Sequence, residues 1–179
     1  MDYAEEFLSR FSGGLPTPGR IDWASVEKNL GGPVPSDYKK IMSRMPRFAL
    51  DMYIGINGPD EIADFSNKCR RDYRQVYPER SGLFLGESIR VAPNPPPDEF
   101  VRFEEMIAFG STDTGCRMYW WARGENPDHW PVLVAPKGFL RKVECGFAEF
   151  LVRLVDADVQ CPEIINEDWP EDEVEVEAM

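Results

Sequence analysis

Residues 106–122 read Met106-Ile107-Ala108-Phe109-Gly110-Ser111-Thr112-Asp113-Thr114-Gly115-Cys116-Arg117-Met118-Tyr119-Trp120-Trp121-Ala122, and their pattern decides the fold class. Two runs rich in aromatic and aliphatic residues, 103–109 and 116–122, flank six turn-forming residues, 110–115. Strands joined by so short a loop can only run antiparallel, because a parallel return needs a crossover of a dozen residues or more. Similar runs at 83–91, 132–135 and 139–143 are bounded by turn clusters, and the loop 123–128 is again of hairpin size. Trp120 and Trp121 fall on opposite faces of one strand, so one ring is expected in the core and the other on the opposite surface.

Outward from these strands the period changes from 2 to 3.6. Asp2 is placed to cap a first helix reaching Phe11, and Asp22 a second reaching Leu30, closed by Gly31-Gly32. After Pro35-Ser36, the apolar residues Tyr38, Ile41, Met42 and Met45 share one helical face, which Pro46 terminates. A short strand is expected at 49–54 and a helix at 60–77, capped by Asp60 with Ile62, Phe65, Cys69, Tyr73 and Val76 inside. Phe147, Phe150, Leu151, Leu154 and Val155 mark a closing helix. Helices, then a strand meander, then a helix describe an α+β domain. The expectation is an antiparallel sheet of about five or six strands, flanked by N-terminal, middle and C-terminal helices.

Charge divides the chain into parts. Its 179 residues carry 20 Lys and Arg against 32 Asp and Glu, a net charge of −12. Residues 163–179 hold eight of those acids and no base, so residues 1–162 carry only −4. A run of this kind repels itself and is expected as a solvated, flexible tail, with Trp169 as its one large apolar anchor. The remaining chain divides into a helix and loop at 1–20 and a single domain at 21–162. A pI near 4.6 argues against binding nucleic acid through its phosphates. No apolar stretch approaches the roughly 20 residues of a membrane span. The acidic N-terminus lacks the features of a secretory leader, so a cytoplasmic location is expected.

Chemistry-bearing motifs are sparse. Cys69, Cys116, Cys145 and Cys161 lie 47, 29 and 16 residues apart, without the close pairs of a zinc site, and reduced thiols are expected. His129 is the only histidine, which excludes two-histidine mechanisms. Asp113-Thr114-Gly115 matches the triplet of aspartic proteases, but Gly110-Ser111-Thr112 precede it where an apolar strand belongs, so a hairpin turn is the better reading. Glu104-Glu105 point to opposite faces of a strand and do not converge on a substrate. Arg70, Arg71 and Arg74 read as a charged solvent face of the helix 60–77. No residue pattern calls for a cofactor or metal, and an enzyme is not expected.

Residues 21–40, Ile21-Asp22-Trp23-Ala24-Ser25-Val26-Glu27-Lys28-Asn29-Leu30-Gly31-Gly32-Pro33-Val34-Pro35-Ser36-Asp37-Tyr38-Lys39-Lys40, resemble the opening signature of the SUKH superfamily. There an apolar-Glu pair runs into Leu-Gly, an apolar residue and Pro, then an Asp-Tyr-Lys helix. Met106–Gly110, Asp113–Gly115, Met118–Trp121 and Asp128–Val132 are similar to the family's central hairpins. The resemblance covers about residues 20–155 and implies an α+β domain without catalytic residues. It also implies kinship with fungal cell-wall synthesis regulators or bacterial immunity proteins that neutralise nuclease or deaminase toxins. An acidic chain lacking a convergent catalytic cluster suits the blocking of a basic protein surface, where opposite charges steer encounter. The expected contact residues are Asp113, Glu125 and Asp128 in loops, with Trp121, Trp130 and Trp169 as exposed aromatic anchors. An adaptor of the regulator type without a toxin partner is the alternative, and a carboxylate-dependent hydrolase a distant third.

Overall fold

A computed structural model describes residues 1–86, 100–136, 139–165, 169–170 and 173–179. Helices α1 (Tyr3–Phe11), α2 (Trp23–Leu30) and α3 (Ser36–Met42) lead into a hairpin of β1 (Phe48–Leu50) and β2 (Ile54–Ile56). Helix α4 (Ile62–Val76) follows, then β3 (Gly82–Phe84), β4 (Phe100–Arg102), β5 (Met106–Thr112), β6 (Arg117–Trp121), β7 (Val132–Ala135) and β8 (Arg141–Val143). Helix α5 (Phe147–Val155) and strand β9 (Val176–Ala178) complete the chain. Seven strands form one antiparallel sheet in the order β8-β7-β6-β5-β2-β1-β9, while β3 and β4 pair separately. The α+β class and the three sets of flanking helices are as the sequence leads one to expect, with more strands in the main sheet.

The sheet is buried on both faces. Ile107, Phe109, Met118, Trp120, Val132 and Val134 pack against α1, α3 and α5. Their alternating neighbours Ala108, Tyr119, Trp121, Leu133 and Ala135 pack against α4 and the β3–β4 hairpin. Double coverage explains why β5 and β7 read as continuous apolar runs instead of alternating with polar residues. Tyr38 is the hub of the first layer. Its ring meets Trp120 edge-on at 5.0 Å and Phe147 at 5.4 Å, and its hydroxyl donates to the Asn57 carbonyl at 2.9 Å.

Local chemistry sets the helix ends. Asp2 and Asp22 accept from the backbone N–H of Glu5 and Ser25, and Gly31 closes α2 in the left-handed region at φ 82°. All four apolar residues expected on the α3 face are buried. In α4 the cap differs: the helix starts at Ile62, with Glu61 rather than Asp60 at its N-cap. Val76, expected inside, is 65% exposed, while Tyr73 and Tyr77 of the same turn pack against the core.

Between Ala108 and Gly110 a bulge interrupts the pairing of β5 with β6. Ser66 of α4 satisfies the freed backbone, accepting from Ala108 N–H at 3.0 Å and donating to Ala108 C=O at 3.2 Å. Gly110 lies so close to β2 that a Cβ there would stand 2.6 Å from the Gly55 carbonyl oxygen.

Three expectations are corrected. The single strand at 49–54 is two strands, β1 and β2, turned at Asp51 and Met52 with φ of 50° and 53°. Residues 103–105 form a 3-10 turn, and the strand begins at Met106. The acidic tail, in its described part, is a structural edge. Strand β9 pairs with β1, Trp169 is buried, and Arg141 grips the Glu163 carboxylate at 2.6–3.0 Å. The strand expected at 83–91 is present as β3 at its start; 87–91, and the loop that the prolines of 92–97 lead one to expect, lie outside the described residues.

Candidate functional site

The expected contact residues fall at two opposite ends of β6. Five residues at roughly 3.3 Å each set these ends ~17 Å apart, so the loop acids do not form one patch.

At the first end stands the β5–β6 turn. Thr112 N–H donates to the Cys116 carbonyl at 2.8 Å, and the Thr112 hydroxyl accepts from Cys116 N–H at 3.0 Å. Gly115, at φ 88°, supplies the left-handed residue the turn requires. Asp113 is exposed, and its N–H donates to the Tyr53 carbonyl at 2.9 Å, which fastens the turn to the β1–β2 hairpin. That hairpin in turn holds the C-terminal segment: Asp51 accepts from Trp169 Nε1 and from Glu175 N–H, each at 2.7 Å. Asp113, Asp51 and Glu175 therefore crowd the same end of the sheet.

The second end is the β6–β7 loop. Glu125 is exposed beside Gly124, another left-handed glycine at φ 85°. Asn126 caps the 3-10 turn Pro127–His129, accepting from Asp128 N–H at 3.0 Å. Asp128 is exposed but structurally engaged, because its carboxylate accepts from Ser36 N–H at 2.6 Å where Pro35 offers α3 no cap. Next to it, Asp37 accepts from Tyr38 N–H at 2.8 Å and Ala148 N–H at 2.7 Å, tying α3 to the start of α5. Burial raises the Asp37 carboxyl above the usual range, and the nearby Asp128 charge adds to the rise. These carboxylates, with Asp2 and Glu149, line an open groove of about 450 Å³.

The tryptophans are not exposed anchors. Trp121 is 2%, Trp130 5% and Trp169 4% exposed. Trp121 donates to Glu105 at 3.1 Å and lies under Arg123 and Lys142, with the cations 5.1 and 5.8 Å from the ring. Trp130 donates to the Gly124 carbonyl at 3.3 Å. The indole N–H groups of these three have partners inside the fold, the usual condition for burying tryptophan. The sequence offered no cue to the coverage of the second sheet face that buries Trp121. Asp37 and Asp51, the most connected carboxylates of the two ends, went unassigned in the sequence. Asp37 had a usable signal, an acid in the first turn of a helix opened by Pro-Ser.

The thiols are withheld from solvent. All four cysteines are buried free thiols, and burial with the neighbouring Glu163 carboxylate pushes the Cys116 thiol up to about 12. Among the described residues no three of Cys, His, Asp and Glu converge as a metal site requires. Also among them, no helix is long and apolar enough to cross a membrane. No protein-family model matches the chain, and no curated protein matches it in sequence.

Proposed function

We propose that the chain is a non-catalytic protein-binding domain that neutralises a basic toxin domain, of nuclease or deaminase type, by direct contact in the cytoplasm. The observation that carries this reading is the distribution of charge. At least ten of the 20 Lys and Arg side chains are engaged with carboxylates of the chain itself, among them Arg10, Lys39, Lys40, Arg47, Arg117 and Arg141. The surplus of negative charge falls to exposed acids, and Asp113 and Glu175 gather it about the β1–β2 end of the sheet. A surface of one sign attracts a partner of the other, raises the encounter rate and disfavours wrong partners. The resemblance of residues 21–40 and 106–132 to the SUKH superfamily supports the immunity role within this class.

The test is co-expression with the C-terminal domain of a large secreted protein encoded beside this chain. Restored growth and a purified nanomolar complex are the expected results. A toxic domain that still kills, with no complex formed, would overturn the toxin partner and leave an adaptor role in its place.

A further inference from the structure

We infer that the outer edge of β9 is a docking edge for an extended, lysine- or arginine-bearing segment of a protein partner. The inference rests on the binding role proposed above and names the surface that would serve it.

Strand β9 ends the seven-stranded sheet, and among the described residues no strand pairs with its outer side. The register shows which of its groups are free. The Glu175 carbonyl accepts from Asp51 N–H at 2.9 Å, and Met179 N–H donates to the Arg47 carbonyl at 3.0 Å. Residues 175, 177 and 179 therefore bond inward to β1. By the alternation of an antiparallel ladder, Val176 and Ala178 turn their N–H and C=O outward. An open edge of this kind is a template for one further strand.

The side chains select the occupant. Val174 and Val176 are half-buried against the core, while Glu173, Glu175 and Glu177 are exposed. A second copy of the chain pairing antiparallel along this edge would set glutamate against glutamate, and like charges directly opposed destabilise a strand pair. A strand with Lys or Arg at alternate positions meets the glutamates with opposite charge. The acidic edge thus opposes self-association and favours a cationic partner strand. Trp169 and Asp51 hold the base of β9 in place, so the edge is presented ready formed.

The test titrates the isotope-labelled full chain with an eight-residue peptide of alternating Lys and Thr, using the Glu-Thr peptide for comparison. Binding of the cationic peptide at least tenfold tighter is expected, with the largest amide shifts at Val176 and Ala178. Val176→Pro removes an outward N–H and no inward bond, a position where an edge strand tolerates proline. It should weaken the Lys-Thr peptide at least fivefold while the Trp169 indole signal stays in place. Should this variant loosen β9, Glu175→Lys with Glu177→Lys decides the matter, since it should reverse the preference to the Glu-Thr peptide at the same two amides. Equal binding to Val176→Pro with β9 intact, shifts centred on Glu125 and Asp128, or an unreversed preference would overturn the inference. Peptide binding without toxin rescue would sink the toxin partner and leave the edge standing; rescue without peptide binding would do the opposite.

Discussion

The carboxylate of Asp51 accepts a 2.7 Å hydrogen bond from the indole Nε1 of Trp169, 118 residues further along the chain. With its second oxygen it accepts from Glu175 N–H, so one side chain in a hairpin turn fastens the whole C-terminal segment. Asp51→Ala strands a buried indole donor and places Ala in the left-handed region, a combined loss of about 2–4 kcal/mol. Urea unfolding reads the loss, and hydrogen exchange should show the β9 amides opening first. An unchanged midpoint with β9 still protected would contradict this role.

Met52 occupies the next position at φ 53°, where turns of this hand favour glycine, and its side chain is exposed. Met52→Gly should therefore raise stability by about 0.5–1 kcal/mol, the relief of strain exceeding the entropy cost of glycine. A thermal melt of the two proteins checks the sign.

Ser66 and Gly110 hold the β5 bulge from opposite sides. Ser66→Ala leaves the Ala108 N–H and C=O unpaired in the core and should cost about 1–3 kcal/mol. Gly110→Ala drives a methyl group against the Gly55 carbonyl and should cost at least as much. Denaturation midpoints of the single variants measure both. Ser66→Ala at unmodified stability would show that the bulge does not depend on α4.

Asp37 makes stability depend on pH with an uncommon sign. Its carboxyl lies above the ordinary value in the folded protein because burial penalises the charge. The folded state therefore holds this proton more tightly than the unfolded chain. The associated stability is fully present below the unfolded value near 4 and is lost as pH rises through the raised folded value. Asp37→Asn removes that dependence while giving up one of the two backbone bonds. Stability of the pair measured across the carboxylate range should show the variant gaining relative to the parent as pH rises. A carboxyl titration observed by NMR at or below the ordinary value would contradict the assignment.

Much of the fold was legible because its signals are local. Asp2 and Asp22 announce helix starts, Gly31 a helix end, and the spacing of Tyr38, Ile41, Met42 and Met45 a buried face. The 110–115 loop announces the central hairpin. What escaped was decided at a distance. The turn at Asp51-Met52 carries no glycine, and its geometry is held by Trp169 and Glu175 from the far end of the chain. Strand β9 did leave a trace, since Val174 and Val176 alternate with Glu173, Glu175 and Glu177, but the charge run masks the period-2 pattern. Trp121 could be assigned to a face, yet its burial depends on α4 and the β3–β4 hairpin covering that face. The loop acids were visible as residue types. Their separation to opposite ends of β6, and the engagement of Asp128 with α3, are properties of the assembled sheet.

The proposed binding of a basic protein partner through the surplus acids can be measured directly. The most direct measurement is the affinity for the candidate toxin domain, by titration calorimetry at salt concentrations from about 50 to 500 mM. Tight binding is expected that weakens at least tenfold across this range, and weakens likewise when Asp113, Glu175 and Glu177 are neutralised together. Affinity indifferent to both salt and these substitutions would contradict it.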